Sequence, residues 1–199
     1  MTTTTATRIA IVFHSGYGHT ARQAEAVAAG AGRVDGAEVE LVRVEELTSP
    51  DAPGWAVLDA ADAIIFGAPT YMGSASAPFM AFKDATSKRW MQGAWKNKIA
   101  AGFTNSGSWG GDKFNTLMSF VVLAMQHHMV WVGLDLMPGY NSSKGSPDDL
   151  NRVGLWLGAG AQSNVDQGPD VAPVKADLDT ASHLGERVAR AAARWRKGA

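Results

Sequence analysis

Short apolar runs that alternate with helical patterns constrain this chain more than any other feature. Arg8–Phe13 reads RIAIVF, a nearly continuous apolar run rich in β-branched residues. Ala63–Phe66 (AIIF), Ile99–Phe103 (IAAGF) and Met129–Val132 (MVWV) have the same character, and Glu38–Val44 (EVELVRV) alternates as an edge strand does. Runs with no polar face suit strands covered on both sides, which is the habit of parallel sheets. Between them lie helical patterns. Ala24, Val27, Ala28 and Ala31 follow helical spacing, with Gly32 as a stop. Trp55–Ala60 and Pro78–Arg89 read as helices, and Phe114, Leu117, Met118, Val121, Val122 and Met125 form one stripe. A last helix is expected over Lys175–Lys197. Five such strand–helix alternations predict an α/β fold, a parallel sheet with helices on both faces.

The chain has 199 residues, enough for one domain with its own core. The expected layout is a tail over 1–7, disordered, and a single domain over 8–199. Within it, 138–174 is rich in Gly, Pro, Asn and Ser and reads as a long irregular segment, with a short helix after Ser146-Pro147. Cysteine is absent, so disulfides, thiolate metal sites and cysteine nucleophiles are excluded. With 18 Lys+Arg against 19 Asp+Glu the net charge is -1, which disfavours a protein made to coat nucleic acid or an anionic membrane. No apolar run approaches the roughly 20 residues of a membrane span. The N-terminal residues lack the pattern of a secretory leader. A cytoplasmic protein that neither binds nucleic acid nor inserts into a membrane is the expectation. No His/Asp/Glu cluster has ligand spacing, so no metal is expected, and Asp148-Asp149 reads as a helix start.

Parallel sheets of this kind bind ligands beyond the carboxyl ends of their strands, where the strand order reverses. Three loops are therefore decisive. The first, His14-Ser15-Gly16-Tyr17-Gly18-His19-Thr20, runs directly into a helix. Its glycines let the backbone wrap closely, Ser15 and Thr20 add hydroxyls, and the helix start offers unpaired N–H groups, which together suit a phosphate. It lacks the Gly-Lys-Ser/Thr ending of a nucleotide-triphosphate loop. It also reads Gly-x-Gly-x-x-Ala, so a dinucleotide fingerprint is a rival, as is a plain glycine turn. The second, Gly67-Ala68-Pro69-Thr70-Tyr71-Met72-Gly73-Ser74, offers a ring and a thioether against which a flat heteroaromatic group can stack. The third, Thr104-Asn105-Ser106-Gly107-Ser108-Trp109-Gly110-Gly111, is an amide-rich rim. One monophosphate with a long planar head touches all three, and flavin mononucleotide (FMN) has that shape. His14 is either a flavin contact or a hydrogen bond to a neighbouring loop. His127 and His128 either reach the ligand or end a helix, where a His cation suits the dipole.

The first loop, from Ile11 to Thr20, resembles the flavodoxin phosphate-loop signature. With Pro69-Thr70, Gly73, Trp90, Lys98 and the His127-His128 pair, residues 8–133 resemble the WrbA type of NAD(P)H:quinone oxidoreductase. That resemblance implies a flavodoxin-like three-layer sandwich whose five-stranded parallel sheet has the order 2-1-3-4-5. It implies non-covalent FMN, NAD(P)H as electron donor, a quinone-like acceptor and a homodimer or homotetramer. By resemblance, Ser15, Gly16, Tyr17, Gly18, His19 and Thr20 surround the phosphate, and Tyr17 also matches a tyrosine associated with the nicotinamide cofactor. Pro69, Thr70, Tyr71, Met72 and Gly73 lie beside the ribityl chain and ring. Asn105, Ser106, Gly107, Ser108, Trp109 and Gly110 line the pyrimidine edge. Trp90 and His128 are the pocket candidates. Tyr71-Met72 replaces a basic residue followed by Phe, Trp109 replaces a small residue, and Arg152–Gly158 replaces a stretch important to tetramer packing. The alternative is a flavodoxin that carries electrons to a protein partner, which the weak net charge disfavours. A Rossmann dehydrogenase is a third reading.

Overall fold

The computed structural model describes residues 6–198. Four long strands and their crossovers build the sheet: β1 (Thr7–Phe13), β2 (Ala37–Arg43), β3 (Ala63–Tyr71) and β5 (Ile99–Ser106). Between β3 and β5, β4 (Ser74–Ala75) folds back on β3 as a short antiparallel hairpin. Two short strands, β6 (Val130–Trp131) and β7 (Ala159–Gln162), both pair with β5 in parallel. The order is β2-β1-β3-β5, with β6 and β7 sharing the last position. This is the expected 2-1-3-4-5 order.

β1 explains why its run is apolar throughout. Ala10 and Val12 enter the core on one face, and Ile9, Ile11 and Phe13 enter the core on the other. Alternate side chains point to opposite faces, so a strand buried on both sides has no polar positions. The first core gathers the Trp55, Phe79, Phe82, Trp95 and Phe120 rings. The second is aliphatic apart from Phe13 and Phe103 and lies under α1 (His19–Ala31) and α6 (Lys175–Lys197). Those two helices touch backbone to backbone. A Cβ on Gly30 would stand 1.8 Å from the Ser182 carbonyl oxygen, and one on Gly185 would stand 1.9 Å from that of Val27. This reciprocal glycine contact fixes the C-terminal half of α1 against α6.

Several expected boundaries move. The helix expected over Pro78–Arg89 is two, α3 (Ala77–Ala85) and α4 (Ser87–Gln92), which meet at Thr86. The Thr86 hydroxyl donates to the Lys83 carbonyl at 2.7 Å. The short helix after Ser146-Pro147 does not form, and the Asp148-Asp149 helix start is a turn. There the Asp149 carboxylate accepts from the Ser146 N–H and the Ser146 hydroxyl accepts from the Asp148 N–H, local bonds that compete with a helix. The expected strand Met129–Val132 shrinks to β6, and β7 lies inside the segment expected to be irregular. The chain therefore leaves the sheet edge after Trp131 and returns at Ala159 to finish the same edge. Of the tail expected over 1–7, residues 1–5 lie outside the described residues. Thr7 already pairs with Ala37, and the Ala6 carbonyl accepts from Arg196. α2 (Pro53–Ala60) and α5 (Lys113–Gln126) complete the layers. No helix of the described residues is long and apolar enough to cross a membrane.

Candidate functional site

The carboxyl ends of β1, β3 and β5 deliver all three loops to one rim. There a cavity of about 610 Å³ is lined by Tyr17, His19 and Thr20 from the first loop, Pro69, Thr70 and Tyr71 from the second, and Asn105, Ser106 and Gly107 from the third. A more open hollow of about 730 Å³ continues outward past Met72, Gly73, Ser108 and Asp112, sharing Thr70, Tyr71, Ser106 and Gly107 with the first. Both volumes suit a cofactor-sized ligand. A groove of similar size between β6 and α6 is rimmed by the ion pairs Asp135–Arg187 and Glu186–Arg190, and no predicted site residue lines it.

The first loop has the features that suit an anion. Gly18 caps α1 with φ +89°, a left-handed conformation that glycine adopts without strain. A Cβ there would also stand 2.8 Å from the Pro169 ring. The first turn of α1 holds no acidic residue, so its partial positive charge faces the cavity uncompensated by a carboxylate. The Ser15 hydroxyl accepts from the Ala21 N–H at 3.0 Å, which braces the loop against the helix. Gly16 lies directly under Tyr71, whose hydroxyl would stand 2.7 Å from a Cβ at that position. Tyr17 is 76% exposed and meets Tyr71 edge to face, with ring centroids 6.2 Å apart. Burial pushes the Tyr71 hydroxyl above its ordinary pKa, and Tyr17 adds to the shift.

The second loop is a two-residue hairpin. Met72 (φ +49°) and Gly73 (φ +80°) make the turn between paired Tyr71 and Ser74, and Met72 projects wholly into solvent. The Asn115 amide donates to the Gly73 carbonyl at 2.7 Å and ties the hairpin to α5. Beneath it, the Thr70 hydroxyl lies 2.8 Å from those of both Thr104 and Thr116, and Thr104 donates to the Ala68 carbonyl. His14 is turned away from the cavity: its Nδ1 is hydrogen-bonded to the Ser76 hydroxyl at 2.7 Å. Burial lowers its pKa, Glu45 opposes that shift and Arg43 adds to it.

The third loop is held from behind by charges that the sequence pattern did not single out. Lys113, the first residue of α5, is fully buried. Its ammonium donates to the Ser106 hydroxyl and the Ser108 carbonyl, both at 2.6 Å, and to the Trp109 carbonyl at 3.1 Å. Burial lowers its pKa to about 8, Asp177 opposing the shift and Arg152 adding to it. The buried Arg152 guanidinium forms a two-pronged ion pair with Asp177, both contacts at 2.8 Å, and lies 4.3 Å over the Trp109 ring. The segment expected to be irregular thus supplies part of the site. Ser163, Val165, Gln167 and Gly168 also line the cavity, and the Gln167 carbonyl is hydrogen-bonded to His19 at 2.8 Å. The loop-rich composition of that segment hinted at a role without naming a residue.

His128 and Trp90 lie elsewhere. α5 leaves the rim and runs back along the sheet for 14 residues, about 21 Å at 1.5 Å per residue. It ends at the amino edge, where the His128 carbonyl accepts from Asn97 just before β5. His127 is buried there, its ring tilted against that of Trp95 with centroids 4.5 Å apart, and hydrogen-bonded to Thr86 at 2.9 Å. Burial pulls its pKa down to about 4, and His128 adds to that shift. Trp90 borders a small hollow beside His127. One copy of the chain brings neither pocket candidate to the rim.

The sequence profile of the NADPH-dependent FMN reductase family matches residues 12–137, well over half of the chain. The chain belongs to that family. It is 42% identical over 180 residues to flavodoxin FldP of Pseudomonas aeruginosa (strain UCBPP-PA14), covering 90% of this chain and 94% of that one. It is 34% identical over 210 residues to an NAD(P)H dehydrogenase (quinone) of Geotalea uraniireducens (strain Rf4), covering 94% and 98%. The crystal structure of a flavodoxin, WrbA-like protein from Agrobacterium tumefaciens superposes with TM-score 0.73 and 41% identity over 95% of this chain and 99% of that one. A flavodoxin from the domain Archaea, 19% identical, shares the fold at TM-score 0.62 over 93% and 98%. The flavodoxin-like, WrbA-type resemblance read from the loops therefore holds, and FMN with NAD(P)H as donor is the cofactor set of the family.

Proposed function

We propose that this family member holds FMN across the rim and passes electrons from NAD(P)H to a quinone-like or other flat acceptor. The observation that carries the reading is the continuity of the site: an α1 start free of acidic side chains opens into the same cavity as the Tyr71 wall and the amide-rich loop. In this reading Ser15 to Thr20 hold the phosphate through neutral N–H and O–H donors. Pro69, Thr70 and Tyr71 lie along the ribityl chain, with Met72 and Gly73 at the outer margin. Asn105 to Gly110 face the ring edge. Tyr17, exposed above the cavity, meets the incoming nicotinamide or acceptor. Bound there, FMN would supply the two-electron redox chemistry. The chain's part is to position the ring, cover one face and offer hydrogen bonds, so no general base is required. A homodimer or homotetramer, and a cytoplasmic location, belong to this proposal.

A second reading has one specific support, the similarity to flavodoxin FldP: a one-electron carrier for a protein partner. Purified protein given FMN, then NADH or NADPH with benzoquinone, separates the two. Rapid ping-pong oxidation of the nicotinamide supports the reductase. No turnover, with a one-electron form accumulating on half-reduction, supports the carrier. A colourless protein that takes up no FMN overturns both.

A further inference from the structure

The carbonyls gathered by Lys113 dictate which way the third loop faces. Its ammonium takes the carbonyls of Ser108 and Trp109, and its backbone N–H takes that of Gly110 at 3.2 Å. A trans peptide is planar, with its N–H opposite its carbonyl. When the carbonyls of 108, 109 and 110 point at Lys113, the N–H groups of Trp109, Gly110 and Gly111 point away from it. Among the described residues, none of these three N–H groups has a hydrogen-bond partner. Successive N–H groups turned the same way form an anion-receiving concavity.

The charge behind the loop has a sign. Lys113 and Arg152 are cations, Asp177 is one carboxylate, and all three are buried, so the cluster carries one net positive charge. With a pKa near 8, Lys113 is mostly charged at neutral pH. Asp112, the other carboxylate of this loop, is exposed.

We infer that Lys113 is a positioning residue which turns the Trp109 and Gly110 N–H groups, carried between Ser108 and Gly111 that line the outer hollow, toward the electron-rich edge of the flavin, and that its cluster favours the flavin's reduced, anionic form. This rests on the FMN reading above. Hydride uptake from NAD(P)H brings two electrons and one proton, so NAD(P)⁺ leaves and one negative charge stays on the ring system. A buried positive charge close behind the loop stabilises that product more than the neutral oxidised ring.

The test begins with unaltered protein labelled with ¹⁵N. On titration with FMN, the Trp109 and Gly110 amide resonances move, and they move again on reduction; amides that stay still while FMN binds overturn the inference. Lys113→Met then binds oxidised FMN about tenfold more weakly, the value of one lost hydrogen bond set. Its midpoint potential also falls, by about 30 mV for each tenfold of preference for reduced flavin that is lost in a two-electron couple. Wild-type affinity and midpoint in this variant overturn the inference. Lys113→Gln, a neutral donor, recovers affinity without recovering the midpoint, and it carries the variant test if the Met protein does not fold. Unaltered protein that binds no FMN refutes the FMN reading itself. Binding with silent amides or an unmoved midpoint refutes only the role of Lys113.

Discussion

The first and third loops stand at one end of one sheet and both present backbone N–H groups, yet they are built by opposite means. The first is local. A left-handed glycine, a helix start and one serine hydroxyl, all within residues 15–21, give the donors their direction. The third combines a local part with long-range ones. Its direction comes from Lys113, at the start of α5 just past the loop, and behind it lie an arginine from the segment after β6 and an aspartate on α6. A motif window finds the first kind of site. The second kind is visible only once the sheet has brought 106–113, 152 and 177 together.

The comparison breaks most readily at the charge cluster. Asp177→Ala leaves Arg152 and Lys113 buried without their carboxylate, which costs about 3–5 kcal/mol. Urea unfolding should show that loss, and proteolysis should cut the third loop and the 138–174 segment before the first loop. Equal protection of both loops would mean that the third is as self-contained as the first.

His127 serves as a control far from both loops. Its folded pKa, about 4, lies below the ordinary 6.5, so the neutral form is favoured by folding. The associated stability is fully present above about pH 6.5 and is lost as pH falls toward 4. At about 1.4 kcal/mol per pKa unit it amounts to no more than roughly 3.5 kcal/mol. His127→Gln should flatten the acid slope of stability between those limits without altering FMN affinity. A change in affinity would place this edge in contact with the site, across a subunit boundary.

Gly18→Val acts on the local loop. A β-branched residue at φ +89° costs about 1–3 kcal/mol and displaces Pro169. FMN affinity should fall while the Trp109 and Gly110 amides keep their unliganded resonances. Ser15→Ala is the mildest change: it frees the Ala21 N–H and costs about 1 kcal/mol, seen as a small drop in thermal midpoint.

Strands and helices were legible because both depend on short-range pattern, the unbroken apolar run of β1 and the helical spacing after Gly18, whereas the sheet order was legible only through the resemblance. The split of the last strand was not. β7, Ala159–Gln162, is three small residues and a glutamine whose pairing depends wholly on β5 being there to receive it. Lys113 was missed because a lysine at a helix start reads as surface, and only its three acceptors reveal it as interior. His128 and Trp90 were placed in the pocket by resemblance. The length of α5 carries His128 to the opposite edge, where Trp90 also borders the His127 hollow.

The central claim is that the α1 start grips a phosphoester through neutral donors. Parallel fluorescence titrations with FMN and with riboflavin, which differ only by that phosphate, test it most directly. The account predicts tight FMN binding, riboflavin binding weaker by more than about tenfold, and a difference between the two that shrinks in Gly18→Val. Equal affinity for the two flavins, or no affinity for either, would contradict it.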